Sequence, residues 1–194
     1  MINSVGIKIV TGLFLGFVSF SAQAVNCGDA SPNLAQDGDL YYDIVGAGAL
    51  TNRQKSQIKK LLSLIDGRWE GAGVKSHCVG NNMRTFNYTL KANVRQGSDG
   101  KIIFNLNSLE SQTKTLRDET LRFLGSGNQY HITKLNEGSL GLYVKYRRPN
   151  ANRKMTIFVE EIVEIKGSEK KLSLNITRYL NGYFSETFSR EFYR

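Results

Sequence analysis

The sequence predicts an all-β fold: an antiparallel up-and-down β-barrel preceded by one short N-terminal α-helix. Three observations carry this. Segments of alternating apolar and polar residues recur from Arg68 to the end of the chain. Short runs of Gly, Asn, Asp and Ser punctuate them. Helical periodicity occurs once, just ahead of the first alternating segment, so a parallel sheet with crossover helices is disfavoured.

The first 24 residues read as a secretory signal peptide. Lys8 supplies positive charge, Ile9 to Phe20 form an apolar run, and Ala22-Gln23-Ala24 offers the small-x-small pattern of a cleavage site. The run is too short to span a bilayer as a helix. Cleavage after Ala24 would leave 25 Lys and Arg against 17 Asp and Glu, a net charge of +8. The expected location is periplasmic or secreted, with no transmembrane segment after cleavage.

Residues 25–50 are rich in Gly, Asp, Asn and Ala and have no clear period. They are expected to form an extension, tethered at Cys27 and folded back over the domain by Leu40, Tyr41 and Tyr42. Cys27 and Cys78 are the only cysteines, and in an oxidising compartment such a pair is most simply a disulfide.

Residues 51–194 form the expected helix and barrel. Thr51 is a natural N-cap, and Gln54 three residues on completes a capping box. Ile58, Leu61, Leu62 and Ile65 share one helical face, Lys55, Lys59 and Lys60 the other, and Gly67 is placed to end the helix. The predicted strands are Arg68–Val79, Met83–Gln96, Lys101–Leu109, Lys114–Leu124, Gln129–Leu135, Leu140–Arg148, Lys154–Ile165, Lys171–Leu180 and Tyr183–Tyr193.

Alternation assigns the faces. Phe86, Tyr88, Leu90, Ala92 and Val94 form one inward row, continued by Ile102, Phe104 and Leu106, by Leu140, Leu142, Val144 and Tyr146, and by Leu172, Leu174 and Ile176. For the final hairpin, a three-residue loop with a bulge at Gly182 would pair Tyr179 with Tyr183 and keep Phe184 and Phe188 inward. That register is preferred over a two-residue Asn181-Gly182 turn, which would set Ser185, Thr187 and Ser189 in the row instead.

Charges interrupt the inward rows. Arg84 starts one, Glu161 interrupts another, Arg178 follows Ile176, and Arg190 lies between Phe188 and Phe192. A buried charge is costly unless paired. Arg178 falls diagonal to Glu161, so one reading is an internal ion pair. The other is an arginine fork for the carboxylate of an amphiphilic ligand.

The most specific motif is Gly67-x-Trp69-x-Gly71-x-Gly73, following the helix directly. It resembles the calycin superfamily of lipocalin-like barrels, and looks most like the nitrobindin-type branch. The resemblance implies a tryptophan that closes one end of the barrel, packed by an arginine from the last strands; Arg178, Arg190 and Arg194 are candidates. Nitrobindin-like proteins hold haem through a histidine on a late strand. His77 and His131 are neither on late strands, so no cofactor is expected.

The function that follows is an exported binding protein for a small apolar or amphiphilic, anionic ligand. Its expected contacts are Trp69, Arg84, Tyr88, Tyr146, Arg178 and Arg190. The alternative is a periplasmic protein-binding inhibitor, because small barrels that inhibit metalloproteases also carry Gly-x-Trp followed by a cysteine near the end of the first strand. A free, extended N-terminal tail would favour that alternative. No catalytic set, nucleotide-binding loop or metal spacing occurs, so neither an enzyme nor a metal site is expected. The adjacent carboxylates Asp118-Glu119 and Glu160-Glu161 point to opposite faces of their strands and cannot work as pairs. The cations are dispersed, which together with export argues against a nucleic-acid partner. The polar outward rows and short turns argue against an outer-membrane barrel.

Overall fold

The structure, a computed structural model, describes residues 25–32, 50–97, 100–124, 130–149, 152 and 154–194. The expected signal peptide and the aromatic fold-back at Leu40, Tyr41 and Tyr42 lie outside the described residues. No helix of the described residues is long and apolar enough to cross a membrane.

One helix, α1 (Asn52–Ile65), leads into nine strands: β1 (Gly67–Val79), β2 (Asn82–Gln96), β3 (Ile102–Glu110), β4 (Leu116–Phe123), β5 (Tyr130–Asn136), β6 (Ser139–Pro149), β7 (Thr156–Gly167), β8 (Lys171–Leu180) and β9 (Tyr183–Tyr193). All ladders are antiparallel, in the order β4-β3-β2-β1-β9-β8-β7-β6-β5. The meander therefore closes on itself between its first and last strands, as an up-and-down barrel does. The sheet curls into this barrel with β4 and β5 at its two edges, and no ladder joins them among the described residues.

The helix begins as its capping box dictates. Thr51 accepts from the Gln54 amide while the Gln54 side chain accepts from the Thr51 amide at 2.9 Å. The apolar face of α1, Ile58, Leu61, Leu62 and Ile65, is fully buried against one end of the barrel. Gly167 makes this seat: a Cβ there would lie 2.1 Å from Ile65 Cγ2. Gly67, at φ 110°, turns the chain from helix to strand in a conformation that a side chain would strain.

Trp69 lies at the same end, 1% exposed, its Nε1 donating to the Ile65 carbonyl at 2.8 Å. Of the three arginines expected to cover it, Arg194 does so. Its guanidinium stacks 4.2 Å from the ring centroid and donates to the carbonyls of Leu64, Asp66 and Glu169. The glycines after Trp69 have separate reasons. A Cβ on Gly71 would sit 1.9 Å from the Glu191 carbonyl oxygen, so only glycine lets β1 approach β9 this closely. A Cβ on Gly73 would meet the ring of Tyr88 at 2.6 Å.

The final hairpin differs from the expected register. Leu180 pairs with Tyr183 across a two-residue turn, with Asn181 at φ 51° and Gly182 at φ 85°, both left-handed as a primed turn requires. The bulge sits one step further along, where Ser185 is the extra residue: Tyr179 faces Phe184, then Arg178 faces Glu186. The bulge shifts the row after the turn instead of at it. Phe188 and Phe192 thus still face inward, but Glu186 rather than Phe184 lies beside Arg178, and Phe184 is buried on the outer face beside Tyr179.

The N-terminal segment covers that outer face. Cys27 and Cys78 form a disulfide with Cα atoms 5.6 Å apart. Ala30 bridges to Tyr183, Phe184 N donates to the Asp29 carbonyl, and Ser31 Oγ donates to the buried Glu160, which also accepts from Tyr143 Oη at 2.7 Å.

Candidate functional site

Along the inward rows of β2, β3, β4, β6, β8 and β9 burial falls from the helix end to the opposite end. On β2, Val94, Ala92 and Leu90 are buried, Tyr88 and Phe86 are half-buried, and Arg84 is exposed. On β9, Phe192 and Arg190 are buried and Phe188 and Glu186 half-buried. The half near α1 is packed; the other half is hollow. Two cavities, of about 440 and 530 Å³, occupy it.

The first cavity is built between β1, β2, β3, β4 and β9. Its wall includes His77, Tyr88, Glu110, Glu119, Phe188 and Arg190. The second lies across the seam where β4 faces β6. Leu121, Phe123, Tyr130, Leu142 and Val144 give it apolar walls, and Arg122, Lys145 and Arg147, which alternate to the outer face, give it a basic rim. Arg178 lines both cavities.

The two inner arginines are in different electrostatic states. Arg178 is saturated. Its Nε and Nη2 reach Glu161 Oε1, each at 2.7 Å, and its Nη1 donates to Glu186. Glu161 is its direct cross-strand partner, not the expected diagonal one. Glu161 also accepts from Tyr146 Oη at 3.1 Å, and Glu186 is paired with Lys75 at 2.8 Å. Burial alone would push the Glu186 carboxyl up, but Lys75 and Arg178 outweigh it and hold the group below its ordinary value. This is the internal ion-pair reading of Arg178, extended to a network.

Arg190 is not saturated. It is 2% exposed, and its one ion pair among the described residues runs across the barrel interior from Nη2 to Glu119 on β4, at 2.8 Å. Its Nε and Nη1 are buried without a hydrogen-bond partner. The hydroxyl of Tyr88 lies beside it, close enough for Arg190 to act on it as a hydrogen-bond donor, and His77 Nδ1 and Glu110 Oε1 are unpartnered. All four side chains line the first cavity. Burial raises the Tyr88 phenol, and the positive charge of Arg190 opposes part of that rise. Phe188 forms the common floor: Arg190, Lys75 and Arg178 lie 4.7, 5.0 and 5.7 Å from its centroid.

Of the six expected contacts, Tyr88, Arg178 and Arg190 meet at the first cavity, and Tyr146 joins Arg178 at the second. Trp69 lines neither cavity and is packed in the closed end. Arg84 shares the parity of the inward row but stands at the strand's end, exposed and away from both. Sequence reasoning missed His77, Glu110, Glu119 and Phe188. His77 was readable: it has the parity of Trp69 on β1, so it faces inward while its neighbour Cys78 faces out. It stacks on Phe86 at 5.3 Å. Glu119 carried no local signal, because its partner is 71 residues away. His131 is exposed. Among the described residues no group of three or more His, Cys, Asp or Glu could hold a metal ion.

No family model matches the chain, and no curated protein matches it. Among solved structures it is similar to the crystal structure of Rv2717c from M. tuberculosis, at 12% identity and a TM-score of 0.41, over 71% of this chain and 96% of that one. That likeness carries nothing over to the site.

Proposed function

We propose that the protein is an exported, lipocalin-like binding protein whose ligand is a small amphiphilic carboxylate. The observation that supports this most directly is Arg190: a cation buried in a cavity wall with two donors unpartnered. Such donors cost about 1–3 kcal/mol each when nothing accepts from them, and a carboxylate supplies two acceptors in the geometry of a guanidinium fork. Tyr88 Oη stands ready as a third donor. The apolar walls of the second cavity suit the remainder of such a molecule, and the two spaces adjoin at Arg178.

Ligand cavities commonly combine mostly apolar walls with a few convergent polar groups. The resemblance to calycins through Gly67-x-Trp69 is consistent with a container of this kind. The inhibitor alternative receives less support. Its mechanism calls for a free tail, whereas residues 26–31 are held by a disulfide, a β-bridge and the Ser31–Glu160 contact.

The test is native mass spectrometry of the protein purified from its own host, followed by extraction and titration with a fluorescent long-chain carboxylate. A co-purifying or tightly titrating carboxylate is expected. A protein that arrives empty and takes up no such molecule would sink the reading, and a co-purifying protease would replace it with the inhibitor.

A further inference from the structure

Beyond the cavity ligand, we infer that the β6–β7 hairpin is an arm that docks the protein on an anionic lipid surface. The ladders set its geometry. β6 pairs with β5 only as far as Val144–Tyr130, and β7 pairs with β8 only from Val159–Leu180. Beyond these points, residues 145–149 pair only with β7 and residues 156–158 only with β6 among the described residues. Phe158 exchanges hydrogen bonds with Asn181 at the base.

The arm's chemistry is one-sided. Lys145, Arg147, Arg148 and Lys154 lie on it, and no Asp or Glu occurs between Lys145 and Val159. The acidic residues at its root are already engaged: Glu160 on the outer face with Tyr143 and Ser31, Glu161 inside the barrel with Arg178 and Tyr146. Asp29, near the flanking β8–β9 turn, accepts from its own segment's Asn26 amide at 2.7 Å. Apolar side chains are exposed among the cations: Met155 at 67% and Phe158 at 39%, with Arg147 stacked 4.9 Å over the Phe158 ring.

Cations alone would fit any polyanion. Cations interleaved with exposed Met and Phe fit the headgroup boundary of a bilayer, where charge meets anionic lipid and the apolar groups enter the interface. The placement gives the contact a use. Lys145, Tyr146 and Arg147 belong to both the arm and the lining of the seam cavity, so docking would bring that cavity against the lipid surface.

Sedimentation of the disulfide-bonded protein with vesicles tests this without any cavity ligand. Binding is expected to vesicles containing about one-third phosphatidylglycerol and not to pure phosphatidylcholine. Each cation near such a surface is worth about 1 kcal/mol, about fivefold. The pair Arg148→Gln and Lys154→Gln, which lines neither cavity, should weaken binding by about 30-fold. Met155→Ser with Phe158→Ser should abolish what survives at high salt, where charge attraction is screened. Failure to bind phosphatidylglycerol vesicles, or binding unchanged by either pair, would overturn the inference. So would displacement by polyglutamate or DNA with no effect of the Met155 and Phe158 substitutions, which would make the partner a generic acidic polymer.

Discussion

Arg190→Met separates a ligand-binding arginine from a structural one, because the two predict opposite changes in stability. Among the described residues Arg190 has one ion pair, and its partner Glu119 is 42% exposed. A pair of that kind contributes at most about 1 kcal/mol, and the freed Glu119 can return to water. The substitution also removes two unpartnered buried donors, worth about 2 kcal/mol at the low end of their usual cost. Methionine keeps the apolar contact with Phe188. The balance favours the variant by about 1 kcal/mol, which for a chain of this size raises Tm by about 2–4 °C. Binding moves the other way. Hydrogen bonds to a charged group are worth about 1.5–3 kcal/mol, so affinity for a long-chain carboxylate should fall by about 10- to 150-fold. Affinity for the matching alcohol should be unchanged. Thermal melts and fluorescence titration with both molecules read these quantities. A variant that loses 2 kcal/mol of stability and keeps its preference for the acid would refute the reasoning, because Arg190 would then belong to the scaffold.

Four further outcomes follow from the same contacts. Paired Cys27→Ser and Cys78→Ser substitutions should cost about 4 kcal/mol by loop entropy, given their separation of 51 residues, and protease should then cleave within residues 25–32 first. Gly71→Ala should prevent normal β1–β9 pairing, since its Cβ would overlap the Glu191 carbonyl; loss of cooperative unfolding in denaturant is the readout, and a change under 1 kcal/mol would contradict it. The acid limb of stability should carry Glu186: its carboxyl is depressed in the fold, so its contribution is present above its ordinary value of 4.5 and lost as pH falls through the lower folded value. Glu186→Gln should flatten that limb in urea titrations. At the alkaline end, burial pushes the Tyr130 phenol up to about 12, so stability should decline from pH 10 towards 12, and Tyr130→Phe should remove part of the decline while leaving stability at neutral pH unharmed.

Much of the scaffold was legible because period and punctuation are local signals. The capping box, the nine strands and the inward rows follow from neighbours in sequence, and the sheet realises them within a residue or two at each end. The last hairpin was not legible to the same degree. The turn and the bulge both shift register, so the two can be exchanged along the strand at little cost to the alternation. What decides the matter is the outer face: Phe184 and Tyr179 are buried there beneath the N-terminal segment, and an outward aromatic looks misplaced until that cover is known.

The site was half legible for a related reason. Parity places Arg178 and Arg190 inside, but parity cannot say which of them is already paired. Arg178 finds both its carboxylates through adjacent ladders, at Glu161 and Glu186. Arg190 faces Leu174 on one side and Gly73 on the other. Neither neighbour can accept a hydrogen bond through its side chain, and Gly73 leaves room for the Tyr88 ring instead. Among the described residues its only carboxylate arrives from β4, at an edge of the sheet. The two arginines therefore differ by what their cross-strand partners are, and a glycine selected for space next to Arg190 is what leaves that charge open to something else.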